Sequence, residues 1–233
     1  GSASEVTPFS VISDKEKGIK TSISGKVLYP KVALVDPELT YTCPPKVTAI
    51  SGIDVICHAL DSLGAVNNNP ISDGLAVTAL RLAFNNLDTA CSEGTNAEAR
   101  SNMALASTTA GIGFSQTATS GSHAMSYYLT SEFNIPHAEA CAFSLDQWIL
   151  HNSKVDSRLD EASVQLGFKN TEELSVELNE LKKRIGLRTT FEELGIDRRH
   201  IPEIARQTMA AGNYKNNLAQ LSEDEIIEML ETK

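Results

Sequence analysis

Four side chains in this sequence have the types and spacings that hold a transition metal. In Gly52-Ile53-Asp54-Val55-Ile56-Cys57-His58-Ala59-Leu60-Asp61, Asp54 and His58 are four apart on a stretch with helical periodicity, which brings both side chains to one face. Such a pair can grip one cation, although the same spacing is more common in an ordinary helix-surface Asp–His contact. His123 follows the flexible Ser120-Gly121-Ser122, and His137 follows Asn134-Ile135-Pro136. Each opens a predicted helix, which can aim an imidazole inward. Neutral imidazoles with a carboxylate suit Fe²⁺ or Zn²⁺ better than the oxygen-seeking Mg²⁺ or Ca²⁺. Spacing leaves open whether the four converge. His151 and His200 read as surface or packing residues.

The elements that must position these residues are mostly helical. From Pro44 onward the apolar period is that of helices, predicted at about 45–63, 71–91, 96–117, 122–134, 138–152, 155–166, 171–185, 189–194, 198–211 and 222–231. Asn170-Thr171-Glu172-Glu173 and Ser222-Glu223-Asp224-Glu225 combine a capping side chain with first-turn acids that complement the helix dipole. Gly167, Gly186 and Gly195 fall where helices should end. Trp148 with Ile149 and Leu145 reads as core. Upstream, Val6 to Ser13 and Ile19 to Ser24 are β-leaning runs joined by Asp14 to Gly18, which suits a hairpin. Val32 to Val35 predicts a third short strand. Three such strands carry too little apolar surface for a domain of their own, so residues 1–38 are expected to be strands left from another domain and 39–233 one helical domain.

Composition narrows the partners. The chain has 233 residues, 41% of them hydrophobic, and 30 acidic against 20 basic residues give a net charge of −10. That charge repels phosphate backbones and anionic lipid surfaces, so neither nucleic acid nor membrane is expected. The four cysteines (Cys43, Cys57, Cys91, Cys141) are scattered, with no pair at metal-knuckle or redox spacing, so neither a disulfide framework nor a cysteine zinc site is expected. No apolar run reaches the roughly 18 to 20 residues that span a bilayer, and the expected location is the cytoplasm.

The motifs together resemble the iron-containing (group III) alcohol dehydrogenases. The likeness runs in order and spacing through Gly52-Ile53-Asp54 and His58-Ala59-Leu60-Asp61, Asn69-Pro70-Ile71-Ser72-Asp73, Ala99-Arg100, Met103, Ala106-Ser107, Ala110-Gly111, His123-Ala124-Met125 and Ile135-Pro136-His137. It extends to Ser4-Glu5-Val6-Thr7-Pro8-Phe9, Ala33 to Leu39, Asn217 and Ser222-Glu223-Asp224. The resemblance implies the all-helical, dehydroquinate-synthase-like C-terminal domain of that family, mainly α, behind short strands of an α/β nucleotide-binding domain. It implies Asp54, His58, His123 and His137 as ligands of Fe²⁺ (or Zn²⁺), Ser4 and Thr7 as cofactor-binding, and a small alcohol or aldehyde as substrate. The metal would act as a Lewis acid on the substrate oxygen while hydride passes to or from NAD(P). A homo-oligomer is also compatible with the resemblance.

Three departures qualify these expectations. The family's glycine-serine-rich pyrophosphate loop has no counterpart in the chain, so NAD(P) is expected only in a full-length enzyme and the isolated chain is expected to be inactive. Tyr127 stands four residues after His123, where many members carry a histidine near the nicotinamide and substrate. A phenol of pKa near 10 is a poor proton shuttle at neutrality but can donate a hydrogen bond. Ser126 to Thr130 loosely suggests a phosphonoacetaldehyde-type reductase. Ala138 replaces the usual glycine after His137. Two other readings stand beside the leading one: a zinc glycerol-dehydrogenase-like branch, and a non-enzymatic helical binding or assembly module.

Overall fold

The computed structural model describes the backbone of residues 1–14 and 19–233, and side chains outside 13–21. Ten α-helices among the described residues form almost the whole molecule: α1 (Pro45–Leu63), α2 (Pro70–Ser92), α3 (Ala97–Thr117), α4 (Gly121–Phe133), α5 (His137–Ser153), α6 (Arg158–Leu166), α7 (Thr171–Arg184), α8 (Phe191–Leu194), α9 (Ile201–Ala210) and α10 (Glu223–Glu231). Before them β1 (Phe9–Asp14) and β2 (Ile19–Ser24) form an antiparallel pair, with Phe9 opposite Ser24 and Asp14 opposite Ile19. The expected hairpin is therefore present. Most of its proposed connection lies outside the described residues.

The expected strand at Val32 to Val35 does not form. This stretch is irregular, with Val32 and Leu34 strongly exposed. Four β-prone residues have no neighbouring strand to accept their backbone groups, and pairing rather than propensity makes a strand. The first β-run also starts later than its apolar pattern suggested, because Ser4–Val6 makes a 3₁₀ turn before Pro8.

The helix boundaries follow the local chemistry. Asn69 caps α2 by accepting from the backbone of Ile71 and Ser72, and the Ser72 hydroxyl accepts from Asn69 N–H in return. Asn170 caps α7, and Ser222 with Glu225 forms a capping box on α10. Gly167 and Gly195 end α6 and α8 in the left-handed region, where a β-carbon would be strained.

Helix α1 is the spine. Nearly every residue from Gly52 to Leu63 is buried, because α2, α3, α4 and α5 all pack against it. A helix buried all round belongs in the interior, and its buried polar residues Asp54, His58 and Asp61 need partners there. One core gathers Ile53, Ile56, Leu60, Leu80, Leu87 and neighbours from α5 to α7. A second gathers Met125, Leu129, Phe143, Trp148, Ile204 and Leu230 around α4, α9 and α10. Each fully buried large side chain contributes about 1.5–3 kcal/mol. Helix α5 serves both cores, with Cys141, Leu145 and Ile149 toward the first and Phe143 and Trp148 toward the second. The start of α5 therefore lies where the spine meets the second core. Among the described residues, no helix is long and apolar enough to cross a membrane.

Candidate metal centre

The four predicted ligands come from three helices that meet at this junction. Asp54 and His58 lie one turn apart on α1, both more than nine-tenths buried, with His58 Nε2 3.9 Å from Asp54 Oδ1. His123 is in the first turn of α4 and His137 opens α5. The His58 and His123 rings stack with centroids 4.9 Å apart, and the His123 and His137 rings meet edge-on at 5.4 Å. On its other side His58 stacks on Phe114 of α3 at 4.1 Å.

Two local features aim His123. Asp61, one turn beyond His58 on α1, receives the Ser120 backbone N–H at 2.9 Å and the Ser122 hydroxyl at 2.9 Å. Its Oδ2 also lies 2.8 Å from His123 Nδ1. A carboxylate there fixes the proton on Nδ1 and leaves Nε2 as the free face of the ring. Gly121 supplies the second feature. A β-carbon at that position would come within 2.8 Å of the Trp148 ring and 2.9 Å of Asn217 Oδ1, so glycine lets the start of α4 press against α5. His137 Nδ1 is 3.3 Å from Ser126 Oγ. Ala138 continues α5 as a helical residue, and its β-carbon is accommodated.

The donor atoms are left open for something to bind. Asp54 Oδ1, His58 Nδ1 and His123 Nε2 are buried without a hydrogen-bond partner, a condition that costs about 1–3 kcal/mol per neutral group and more per charged one. One donor each from Asp54, His123, His137 and Cys141 lies within 4.8 Å of the other three. This donor chemistry fits a divalent transition metal. The charge states divide: burial is outweighed at His123 by Cys141 and Asp61, and Cys141 raises His137, so these two rings would give up a proton to a metal. Burial lowers His58 to a pKa of about 4 and keeps it a neutral donor near pH 7. Burial opposes ionisation of Asp54, but His58, His123 and His137 outweigh it and hold the carboxyl below its ordinary range. Asp61 is likewise held low against burial, chiefly by its hydrogen bond to His123. Burial would raise the Cys141 thiol, yet His123 and His137 draw it down to about 7.

Asp54, His123 and His137 are thus brought together, with His58 stacked beside them. Tyr127 lies one turn after His123 on α4, partly buried, and burial raises its phenol. Ser4 is exposed and Thr7 buried, both before the helical body. The His200 ring packs on Phe133, and His151 is half-buried on α5. Neither joins the cluster. Two residues of the site escaped the sequence reading. Cys141 lacks a cysteine partner, as expected, but lies four residues after His137, a spacing that puts both on one helix face. Asp61 follows His58 by three, a spacing that puts it on the same side of α1.

Comparison with known proteins agrees with this architecture. The family model described as the Fe-containing alcohol dehydrogenase family, C-terminal, matches residues 48–233. This chain belongs to that family. It is 31% identical over 246 residues to the sulfoacetaldehyde reductase of Bilophila wadsworthia, a match covering 99% of this chain and 63% of that protein. It is 41% identical over 155 residues to the 1-propanol dehydrogenase of Salmonella typhimurium, covering 66% of this chain and 42% of the relative. In structure it superposes with a TM-score of 0.95 at 36% identity on sulfoacetaldehyde reductase from Bifidobacterium kashiwanohense, solved in complex with NAD⁺. That match covers 100% of this chain and 62% of the other. The chain therefore spans less than two thirds of the length of these relatives.

Proposed function

We propose that this chain is the metal-bearing helical part of an NAD(P)-dependent alcohol dehydrogenase or aldehyde reductase. The observation that carries the reading is the convergence of buried, unpartnered Asp54 Oδ1 and His123 Nε2 with His137 at the meeting of α1, α4 and α5. Asp54, His123 and His137, with His58 beside them, would hold the metal. Iron is the first choice from the family and zinc the second. When bound, the metal supplies Lewis acidity to the alcohol or aldehyde oxygen.

The chain's own residues prepare that event. Asp61 keeps His123 in one tautomer and orientation, and the Phe114 and His58 rings wall off water on one side. Tyr127 is suited to donate a hydrogen bond to the substrate oxygen, its phenol remaining protonated at neutral pH. Residues 1–38, including Ser4 and Thr7, form the edge toward the nucleotide, and 39–233 form the metal domain. Hydride transfer needs the further length found in the relatives, so these 233 residues are expected to bind metal without turning over.

The substrate class favoured is a small aldehyde bearing an anionic group, of sulfo- or phosphonoacetaldehyde type. Support comes from two sulfoacetaldehyde reductases whose matches run the length of this chain and from Tyr127 in its Ser-Tyr-Tyr-Leu-Thr setting. The test begins with metal analysis after anaerobic purification without chelator. About one transition metal per chain is expected, and His123→Ala should lose it. NAD(P)H oxidation, assayed with the remaining length present, should favour sulfoacetaldehyde over propanal. Absence of bound metal would defeat the reading in favour of a non-enzymatic helical module, and a preference for propanal would defeat the substrate class.

A further inference from the structure

A second buried group of charges lies farther along α5, where Leu145 and Ile149 belong to one core and Phe143 and Trp148 to the other. Here the Asp146 carboxylate faces two ammonium groups. Lys182 of α7 is fully buried, and its Nζ donates to Asp146 Oδ1 at 2.5 Å and to the Ala142 carbonyl at 3.1 Å. Lys233, just beyond α10, reaches in from the side of the second core. It donates to Asp146 Oδ1 at 2.9 Å and Oδ2 at 2.8 Å, with its ammonium 5.6 Å from the centre of the Phe143 ring. Gln147 adds a neutral donor to the same carboxylate. The other titratable side chain acting on Lys182 is Cys57 of α1, whose thiol burial raises well above its ordinary range and so leaves uncharged.

Two cations on one carboxylate leave a net positive charge in the interior, which burial disfavours. It can be relieved in two ways. Either Lys182 gives its proton to solvent and stays in place as a neutral amine, or Lys233 swings out to water and leaves Lys182 and Asp146 as a one-to-one pair. Lys182 is fixed within α7 beside buried Leu178 and Leu181, whereas Lys233 lies past the end of α10. We propose that Lys233 is a proton-gated latch, which closes on Asp146 and holds the end of α10 against α5 when Lys182 is neutral, and opens when Lys182 carries its proton. A neutral amine still donates to Asp146 and Ala142, so the closed form keeps the hydrogen bonds described above. Burial lowers Lys182 to about 8 in the closed form, against the pull of Asp146, and Lys233 lowers it further. The open form lacks Lys233 and holds that proton more tightly. Closing therefore releases a proton and strengthens as pH rises above about 8. Burial opposes ionisation of Asp146, but Lys182 and Lys233 outweigh it and keep the carboxylate charged throughout this range.

Amide hydrogen exchange over residues 228–233 of the full chain, scaled to the intrinsic rate at each pH, tests this. In the wild-type protein, protection is expected to rise at least about tenfold between pH 7.5 and 9.5, since one released proton shifts the equilibrium tenfold per pH unit within its window. Lys182→Met leaves Asp146 and Lys233 as a one-to-one pair and should show the high protection at every pH. Lys233→Met should show low protection at every pH. Wild-type protection that does not change with pH, or a rise of equal size in Lys182→Met, would overturn the latch. If Lys182→Met does not fold, Lys233→Met decides the matter: loss of the rise supports the latch, and a rise that survives without Lys233 overturns it.

Discussion

At the residue scale, the orientation of the His123 ring depends on Asp61. The carboxylate holds four donors from α4 and its cap, the Ser120 backbone N–H, the Ser122 hydroxyl, and the backbone N–H and ring of His123. Replacing it by asparagine keeps the shape but offers an amide N–H₂ where an acceptor is needed. The ring is then free to present either nitrogen. Asp61→Asn is expected to lower metal affinity about 10- to 100-fold, as loss of an orienting partner commonly does, while leaving the far-ultraviolet circular dichroism unchanged. Competitive metal titration measures it, and an unchanged affinity would show that Asp61 only caps α4. The Asp54–His58 and His123 positions were legible because spacing, residue type and motif order coincide there. Asp61 and Cys141 were not, since an aspartate on a helix and a solitary cysteine are common in every protein.

At the element scale, the helices that carry the proposed ligands are held in place by others that supply none of them. Helix α6 packs on α2 and α5, and Asp156 secures its start. Asp156 accepts Arg158 N–H at 2.9 Å and both arms of the guanidinium at 2.8 and 2.6 Å. Those hydrogen bonds pull the Asp156 pKa down to about 2. A carboxyl depressed in the folded state adds stability that is complete above its unfolded value and is lost as pH falls toward the folded one. Both side chains are about a third exposed, so solvent screening reduces the contribution to about 1 kcal/mol. Asp156→Asn should therefore lower the melting temperature at pH 6, and the difference from wild type should narrow as pH drops from about 4 to about 2. Thermal melts across that range decide it, and a constant difference would exclude the ionic cause. The helix beginnings at 171 and 223 were visible from Asn170 and Ser222, because a capping side chain acts over three residues. The absent strand at 32–35 was not foreseeable, because its fate depends on a partner strand elsewhere in the chain.

At the scale of the molecule, the two cores meet at the proposed metal centre, so an ion bound there would tie α1 to α4 and α5. A metal that binds only the folded state stabilises it by about 2.7 kcal/mol at a hundredfold excess over its dissociation constant. For a chain of this size that corresponds to a rise in melting temperature of about 5–10 °C. Chelator treatment should reverse the rise, as followed by circular dichroism. An identical melting temperature with and without metal would mean that the centre does not bind metal in preference to the unfolded chain.

What the sequence determined by itself is local or collinear: helix period, caps and terminating glycines, the i, i+4 pairing of Asp54 with His58, and the motif order that marks the family. Those signals act over a few residues along the chain and survive without knowledge of the fold. Tertiary structure alone decided which donors converge. Asp54 and Cys141 lie 87 positions apart, and only the burial of α1 against both α4 and α5 brings the carboxylate, the two imidazoles and the sulfur within reach of one ion. It also turned His58 against Phe114, a packing contact between α1 and α3 that no spacing along the chain encodes.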